Sequence, residues 1–193
     1  MPERCPWCGP EEIYVKYHDE EWGVPEHDSR ALWEKLILDG FQAGLSWITI
    51  LKKRAAFRAA FDGFDPEKIA AYGPEDEARL LADAGIVRHG GKIRAAIRSA
   101  QIYLEVEARD GFATQMWDYV DGQPLQSTWR SMAEVPPSTD LSTQISKDLK
   151  KQGFTFCGPT IVYAWMQATG MVNDHLIDCP RYAEVAAMPG PGS

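Results

Sequence analysis

Five side chains near the two ends of this chain carry metal-ligand chemistry. Cys5 and Cys8 form a Cys-x-x-Cys pair and His18 follows. His175 and Cys179 stand at i and i+4, which would put them on one face of a helix. Zinc takes four thiolate or imidazole ligands in a tetrahedron, and spacing alone favours Cys5, Cys8, His175 and Cys179. The competing reading is buried free thiols beside a surface histidine. Four protein ligands leave no open position for water. Such a site would therefore be structural, tying the first turn of the chain to its last.

A second group is aromatic. Trp7, Tyr14, Tyr17, Trp22, Trp33, Phe41 and Trp47 fall within the first 47 residues, among the acids Glu20, Glu21 and Asp39. Faces of this kind can hold a flat, electron-poor or cationic ring. Aromatics also fill cores, and that reading competes. A third feature is the stretch Leu80–Lys92, where a helix ends, the chain turns at Gly85, Gly90 and Gly91, and a basic residue opens the next helix. Amides at a helix start have no intrahelical partner and can hold a phosphate oxygen. Arg88, His89, Lys92, Arg94 and Arg98 add positive charge. This is a helix-hairpin-helix pattern, a backbone clamp that does not read sequence. An ordinary glycine-capped connection is the alternative.

These groups need helices to position them. The apolar positions Leu32, Leu36 and Ile37 follow a capping Asp28, and a helix runs from about Leu45 into Ala60. Asp65-Pro66-Glu67 and Pro74-Glu75-Asp76-Glu77 are helix starts, the second helix stopping at Ala84-Gly85. A long helix follows Gly90-Gly91, running from Lys92 to about Ala108. Two more span Ser138–Gln152, stopping at Gly153, and Pro159–Ala168, stopping at Gly170. Phe154–Cys157 is the best strand candidate, and the Pro/Gly-rich tail Met188–Ser193 is expected to fray. The pattern is all-α, with no repeat and no linker.

Composition sets limits on function. The chain has 193 residues, 45% apolar and 25% charged, which excludes collagen-like, disordered and disulfide-scaffold classes. The uncharged run Gly40–Leu51 is shorter than the roughly 18 apolar residues of a membrane span. No apolar stretch follows Met1-Pro-Glu-Arg, so no secretory signal is visible and a cytoplasmic protein is expected. The net charge of −8 weighs against nucleic acid. It hides a pattern, however: −6 over residues 1–47, +3 over 48–98 and −5 over 99–193. A basic central segment between acidic arms leaves a local DNA patch open.

Several segments carry a resemblance. They are Arg4-Cys5 with Trp7, Tyr17-His18-Asp19-Glu20-Glu21-Trp22-Gly23-Val24-Pro25, and Gln42-Ala43-Gly44-Leu45-Ser46-Trp47-Ile48-Thr49. Asp83-Ala84-Gly85-Ile86 through Gly91-Lys92-Ile93, Gly153-Phe154 with Gly158, and Val172-Asn173-Asp174-His175 continue it. Over about residues 3–180 the chain resembles the DNA-3-methyladenine glycosylase I family, bacterial enzymes of alkylation repair.

The resemblance implies an all-α helix-hairpin-helix DNA glycosylase fold, a single unit over 1–193 with the hairpin element at about 75–108. It also implies a structural zinc site joining the termini. Its ligands become Cys5, His18, His175 and Cys179, with His18 in place of Cys8, which remains the rival. The base pocket falls on Tyr14, Tyr17 and Trp47, with Trp22 or Trp7, and the family's base-binding glutamate on Asp39. Aspartate keeps the charge but loses about 1.5 Å of reach. Catalysis falls on Asp39, Trp47 and Tyr17. DNA contact falls on Gln42, Gly44, Leu45, Gly85, Gly90, Gly91 and Lys92. Pro159 removes one amide donor beside Gly158.

The implied partner is double-stranded DNA containing alkylated bases, with no membrane, and the protein is expected to be a monomer. The lesion must be flipped out, Gln42 and Leu45 filling the gap. A 3-methylated base is cationic and leaves without a proton. No acid follows Lys92 until Glu105, and no lysine lies in the matched pocket motif, so hydrolysis without a lyase step is expected. Two other classes stay open: a non-catalytic binder of alkylated or abasic DNA, and a structural zinc protein with no nucleic-acid role.

Overall fold

A computed structural model describes residues 4–190. Within them the chain is helical, as its periodicity predicts. The α-helices in chain order are α1 (Glu12–Glu20), α2 (Ser29–Gln42), α3 (Trp47–Ala60), α4 (Pro66–Ala70), α5 (Pro74–Ala82), α6 (Gly90–Arg109), α7 (Phe112–Trp117), α8 (Asp140–Gln152), α9 (Pro159–Ala168) and α10 (Pro180–Ala186). The starts follow the capping chemistry. Asp28 Oδ1 accepts the Ala31 amide at 2.8 Å, and Asp65 Oδ1 accepts the Glu67 and Lys68 amides. Gly153 ends α8 at φ +103, a conformation that glycine adopts without a Cβ penalty.

One expectation is corrected. Phe154–Cys157 is not a strand: its Phe156 turns at φ +54, which breaks an extended run. The two strands among the described residues are instead β1 (Leu125–Gln126) and β2 (Val172–Asn173), paired in parallel. They are too short to show alternation. In the described part of the tail, Pro189 is exposed and Gly190 is buried against Gly122. Residues 191–193 of that expectation lie outside the described residues. Helices α1, α7 and α10 were not anticipated; α7 and α10 are short, and α1 has neither a side-chain cap nor a continuous apolar face.

α2 is the central element. It packs against α3, α6, α7 and α9. Trp33 is fully buried and stacks on Tyr103 of α6, ring centroids 4.9 Å apart, and Phe41 lies 4.7 Å from Phe57 of α3. These two aromatics are core, not pocket. Gly170 passes so close to the Val24–Pro25 backbone that a Cβ there would lie 2.4 Å from the Pro25 nitrogen. That approach brings the end of α9 against the loop leaving α1. No helix among the described residues is long and apolar enough to cross a membrane.

Candidate active site

The remaining five aromatics converge. Trp7 lies 5.1 Å from Tyr14, 6.4 Å from Tyr17 and 4.8 Å from Trp22, and Tyr17 lies 5.5 Å from Trp47. They line one side of a cavity of about 190 Å³. Three segments build that wall: the turn Pro6–Cys8, α1 with its following loop, and the first residue of α3. Met132, Val135, Ala164, Gln167 and Asp174 close the other side. No spacing in the sequence announces those five. Asp174 accepts hydrogen bonds from Trp129 Nε1 at 2.9 Å, Gln167 Nε2 at 2.8 Å and the Tyr163 hydroxyl. It is a fixed carboxylate of the wall.

Asp39 lies at the cavity, 1% exposed, from the last turns of α2. Its Oδ1 accepts from Lys35 Nζ at 2.5 Å, while its Oδ2 is buried without a partner. The buried Trp47 Nε1 is also without a partner. An orphaned acceptor and an orphaned donor on residues of one cavity are what a polar ring with complementary edges would satisfy. Burial pushes the Asp39 carboxyl above its ordinary value, against the charge and hydrogen bond of Lys35. Burial likewise pushes Lys35 down, against Asp39. Lys35 Nζ also stands 3.7 Å from the Trp47 ring centroid.

Lys35 was not foreseen. The ground for excluding a lyase step, that no lysine lies in the matched pocket motif, does not carry over to the folded cavity, which a lysine does line. It falls outside the matched runs. Its i, i+4 spacing from Asp39 on a helix is the signal that could have found it.

The hairpin Asp83–His89 joins α5 to α6. Asp83 Oδ1 accepts the Gly85 amide at 2.7 Å, and Lys53 Nζ donates to Ala84 O at 3.0 Å, fixing the turn on α3. Gly90 and Gly91 head α6, where amides lack intrahelical partners. The Lys92 amide is satisfied by His89 Nδ1 at 3.1 Å. Its ammonium is buried and donates to Phe41 O at 2.9 Å and Ala43 O at 2.6 Å. Lys92 therefore ties the hairpin to the carboxyl end of α2, next to Gln42, Gly44 and Leu45. This differs from the free cation expected there, while Arg88, Arg94 and Arg98 are exposed. Leu45 projects, 46% exposed, beyond Gly44 at φ +80. Pro159 opens α9 at its first position, where a missing amide costs the helix nothing. Lys92→Met should remove two charge-assisted bonds, lowering stability by about 2–3 kcal/mol and the melting temperature by roughly 5–10 °C. An unchanged calorimetric melt would remove this tie from the account of the fold.

Cys5, His18, His175 and Cys179 are all buried, with one ligand atom each within 4.8 Å of the others. Cys5 Sγ lies 3.6 Å from His175 Nδ1, and Cys179 Sγ lies 3.5 Å from His18 Nε2 and 3.7 Å from His175 Nδ1. A tetrahedron with zinc–sulfur and zinc–nitrogen bonds of ordinary length has such edges, about 3.6 Å. The other ring nitrogens are held as ligating imidazoles usually are. His18 Nδ1 meets Asp19 Oδ1 at 2.8 Å, and His175 Nε2 meets Trp22 O at 2.9 Å. The donor set fits a four-coordinate metal. Spacing's preferred ligand Cys8 is left out, its thiol donating to Gly9 O. His18 takes its place because α1 turns it inward.

Comparison with known proteins places the chain in a family. The model of the methyladenine glycosylase family matches residues 7–182. The DNA-3-methyladenine glycosylase 1 of Escherichia coli K12 is 51% identical over 181 residues, covering 93% of this chain and 97% of its own length. A crystal structure of a 3-methyladenine DNA glycosylase I superposes with a TM-score of 0.91 at 51% identity, over 92% of this chain and 98% of that one. A variant of such an enzyme in complex with 3-methyladenine superposes at 0.90 and 40% identity, over 94% and 98%.

Proposed function

The chain belongs to the methyladenine glycosylase family, and from that premise we propose that it excises 3-methyladenine from alkylated DNA by hydrolysing the N-glycosidic bond. It is an enzyme of DNA repair. The observation that carries the reading is the aromatic cavity with the buried, half-unpartnered Asp39 carboxylate beside the hairpin.

The chemistry follows from the substrate's charge. A base methylated at N3 is already cationic, so it leaves C1′ without being protonated. The Tyr17 and Trp47 faces favour that cation over neutral adenine. Asp39 Oδ2 accepts from the exocyclic amine and adds a negative charge beside the ring. Tyr14, Trp22 and Trp7 complete the slot. Water attacks the oxocarbenium-like sugar and gives its proton to solvent. To reach the slot the nucleotide is flipped out of the duplex at a cost of a few kcal/mol. Gln42, the last residue of α2, and Leu45, beyond the turn at Gly44, fill the gap. The amides of Gly90 and Gly91 hold the backbone, with Arg88 and Arg98 supplying charge and Lys92 holding the clamp in place; Gly85, expected as a DNA contact, instead shapes the turn, its amide taken by Asp83 Oδ1, and Arg94 is paired with Glu77. Lys35 pairs with a carboxylate, Asp39 in this structure, rather than with C1′, and the activity we propose is monofunctional.

We assign zinc to Cys5, His18, His175 and Cys179, where it would be structural and supply no reaction chemistry. The protein acts as one unit, a monomer on double-stranded DNA in the cytoplasm. The locked Asp39–Lys35 pair is the one observation favouring a second reading, a non-catalytic binder of alkylated or abasic DNA.

One experiment separates the two. Methylated DNA incubated with the protein should release free 3-methyladenine, leaving strands intact until alkali is added. Release of no base would leave only the binder, and strand breaks without alkali would overturn the monofunctional assignment. Trp47→Ala should lose base affinity by at least tenfold, as loss of about 1–3 kcal/mol of stacking implies, while its circular dichroism melt stays close to that of the parent. A melt that collapses would return Trp47 to the core.

A further inference from the structure

We propose that Lys35 is a tethered competitor for the base slot: its ammonium stands between the Trp47 ring and Asp39, yields to a cationic base, and returns to expel that base once bond cleavage has made it neutral. The inference rests on the glycosylase reading above and goes beyond it to the control of entry and product release.

Lys35 Nζ has two partners at the slot, the Trp47 face at 3.7 Å and Asp39 Oδ1 at 2.5 Å. The incoming base is assigned above to the same ring and to the other oxygen of the same carboxylate, Oδ2. A cation over this ring and on this carboxylate cannot coexist with a second one there at no cost, because like charges at such range repel in a buried site. The lysine has somewhere to go. It also lines a second cavity, of about 260 Å³, with Glu21, Glu34 and Arg54. Its side chain is 16% exposed, at the boundary of the two cavities. Glu21 is held by Arg54 at 2.6 and 2.8 Å, and Glu34 by Arg58 at 2.6 Å. That cavity holds these two carboxylates together with their arginine partners Arg54 and Arg58, and a change of rotamer along the flexible stem of Lys35 would carry its ammonium toward them.

Exchange of one cation for another keeps Asp39 paired and the Trp47 face occupied. Entry of a neutral base breaks the pair and leaves a buried carboxylate without a charge partner. Cleavage then changes the balance. The C1′–N9 bond breaks heterolytically, its electron pair stays with the base, and the positive charge moves to the sugar. Water adds its oxygen to C1′ and loses a proton to solvent. The base is now neutral and has lost its ionic hold on Asp39, whereas the ammonium keeps its own. Lys35 reoccupies the slot and the product leaves.

The test uses the full-length protein and its Lys35→Met and Lys35→Gln variants. Free 3-methyladenine, neutral at pH 8, is titrated by tryptophan fluorescence, and base release from methylated DNA is followed in single-turnover and steady-state modes. Both variants should bind the free base at least about tenfold tighter, the loss of one desolvated cation–π competitor. Their single-turnover rates should be kept or raised, and a burst should be followed by steady-state turnover several-fold slower than the parent's. Equal or weaker binding by both variants, or no burst, would overturn the competitor and leave the glycosylase reading standing. If parent and variants alike neither bind nor release the base, the glycosylase reading itself falls. Lys35→Gln guards against an effect of the apolar methionine: tightening seen with methionine alone would also overturn the proposal.

Discussion

Asp39→Asn should lower the excision of 3-methyladenine by about 100-fold or more, the range typical for losing one preorganised electrostatic contact to a reacting group. Asparagine keeps the shape and one acceptor oxygen. It removes the negative charge that a departing cationic base senses beside the Tyr17 and Trp47 rings, and it leaves Lys35 without its partner. Binding to DNA that already carries an abasic site should change little, because the contacts proposed for that DNA, the amides heading α6 and Leu45, do not line the cavity with Asp39. Base release measured beside a gel-shift titration checks both halves. Undiminished excision would take Asp39 out of the chemistry. A parallel loss of abasic-DNA binding would mean that the substitution disturbs the end of α2, where Phe41 and Ala43 hold Lys92.

The metal ligands carry the other large effect. The protein as purified should contain about one zinc per chain, and Cys179→Ala or His18→Ala should bring this near zero. Removing a four-coordinate structural ion from a protein of this size should cost at least about 4 kcal/mol, a drop in melting temperature of roughly 8–16 °C. Cys8→Ser should keep the metal, since the Cys8 thiol faces the Gly9 carbonyl and not the cluster. Elemental analysis with calorimetry tests the set. Full zinc content in His18→Ala, or loss of zinc in Cys8→Ser, would reassign the fourth ligand.

Much of this architecture can be read from residue order because its signals are local. Asp28, Asp65 and the acids after Pro74 mark helix starts through bonds within one turn, and Gly153 marks a stop through its own dihedral. Side chains joined across long stretches of chain leave no such trace. Asp174 draws Trp129, Tyr163 and Gln167 onto one carboxylate, and nothing in their spacing says so. The same holds for Met132 and Val135 at the slot. The metal set shows the limit of spacing most clearly: a Cys-x-x-Cys pair points to Cys8, whereas the family resemblance points to His18, which α1 turns toward the other three residues. Trp33 and Phe41 erred the other way, since aromatic type says nothing of which side of α2 a ring occupies. Lys92 and Lys35 teach a related lesson: a lysine's charge is visible in sequence, but whether solvent, a backbone carbonyl or a carboxylate receives it is decided by packing.

The ring wall has little footing of its own. Trp7 follows Cys5 by two residues, Tyr17 adjoins His18, Asp174 adjoins His175, and the carbonyl of Trp22 receives the His175 ring. Trp7, Tyr17 and Trp22 are therefore short levers hinged on the knot where the chain's beginning meets its end, while Asp39 and Trp47 stand on α2 and α3. A substitution that loosens that knot should therefore displace those three rings along with lowering the melting temperature.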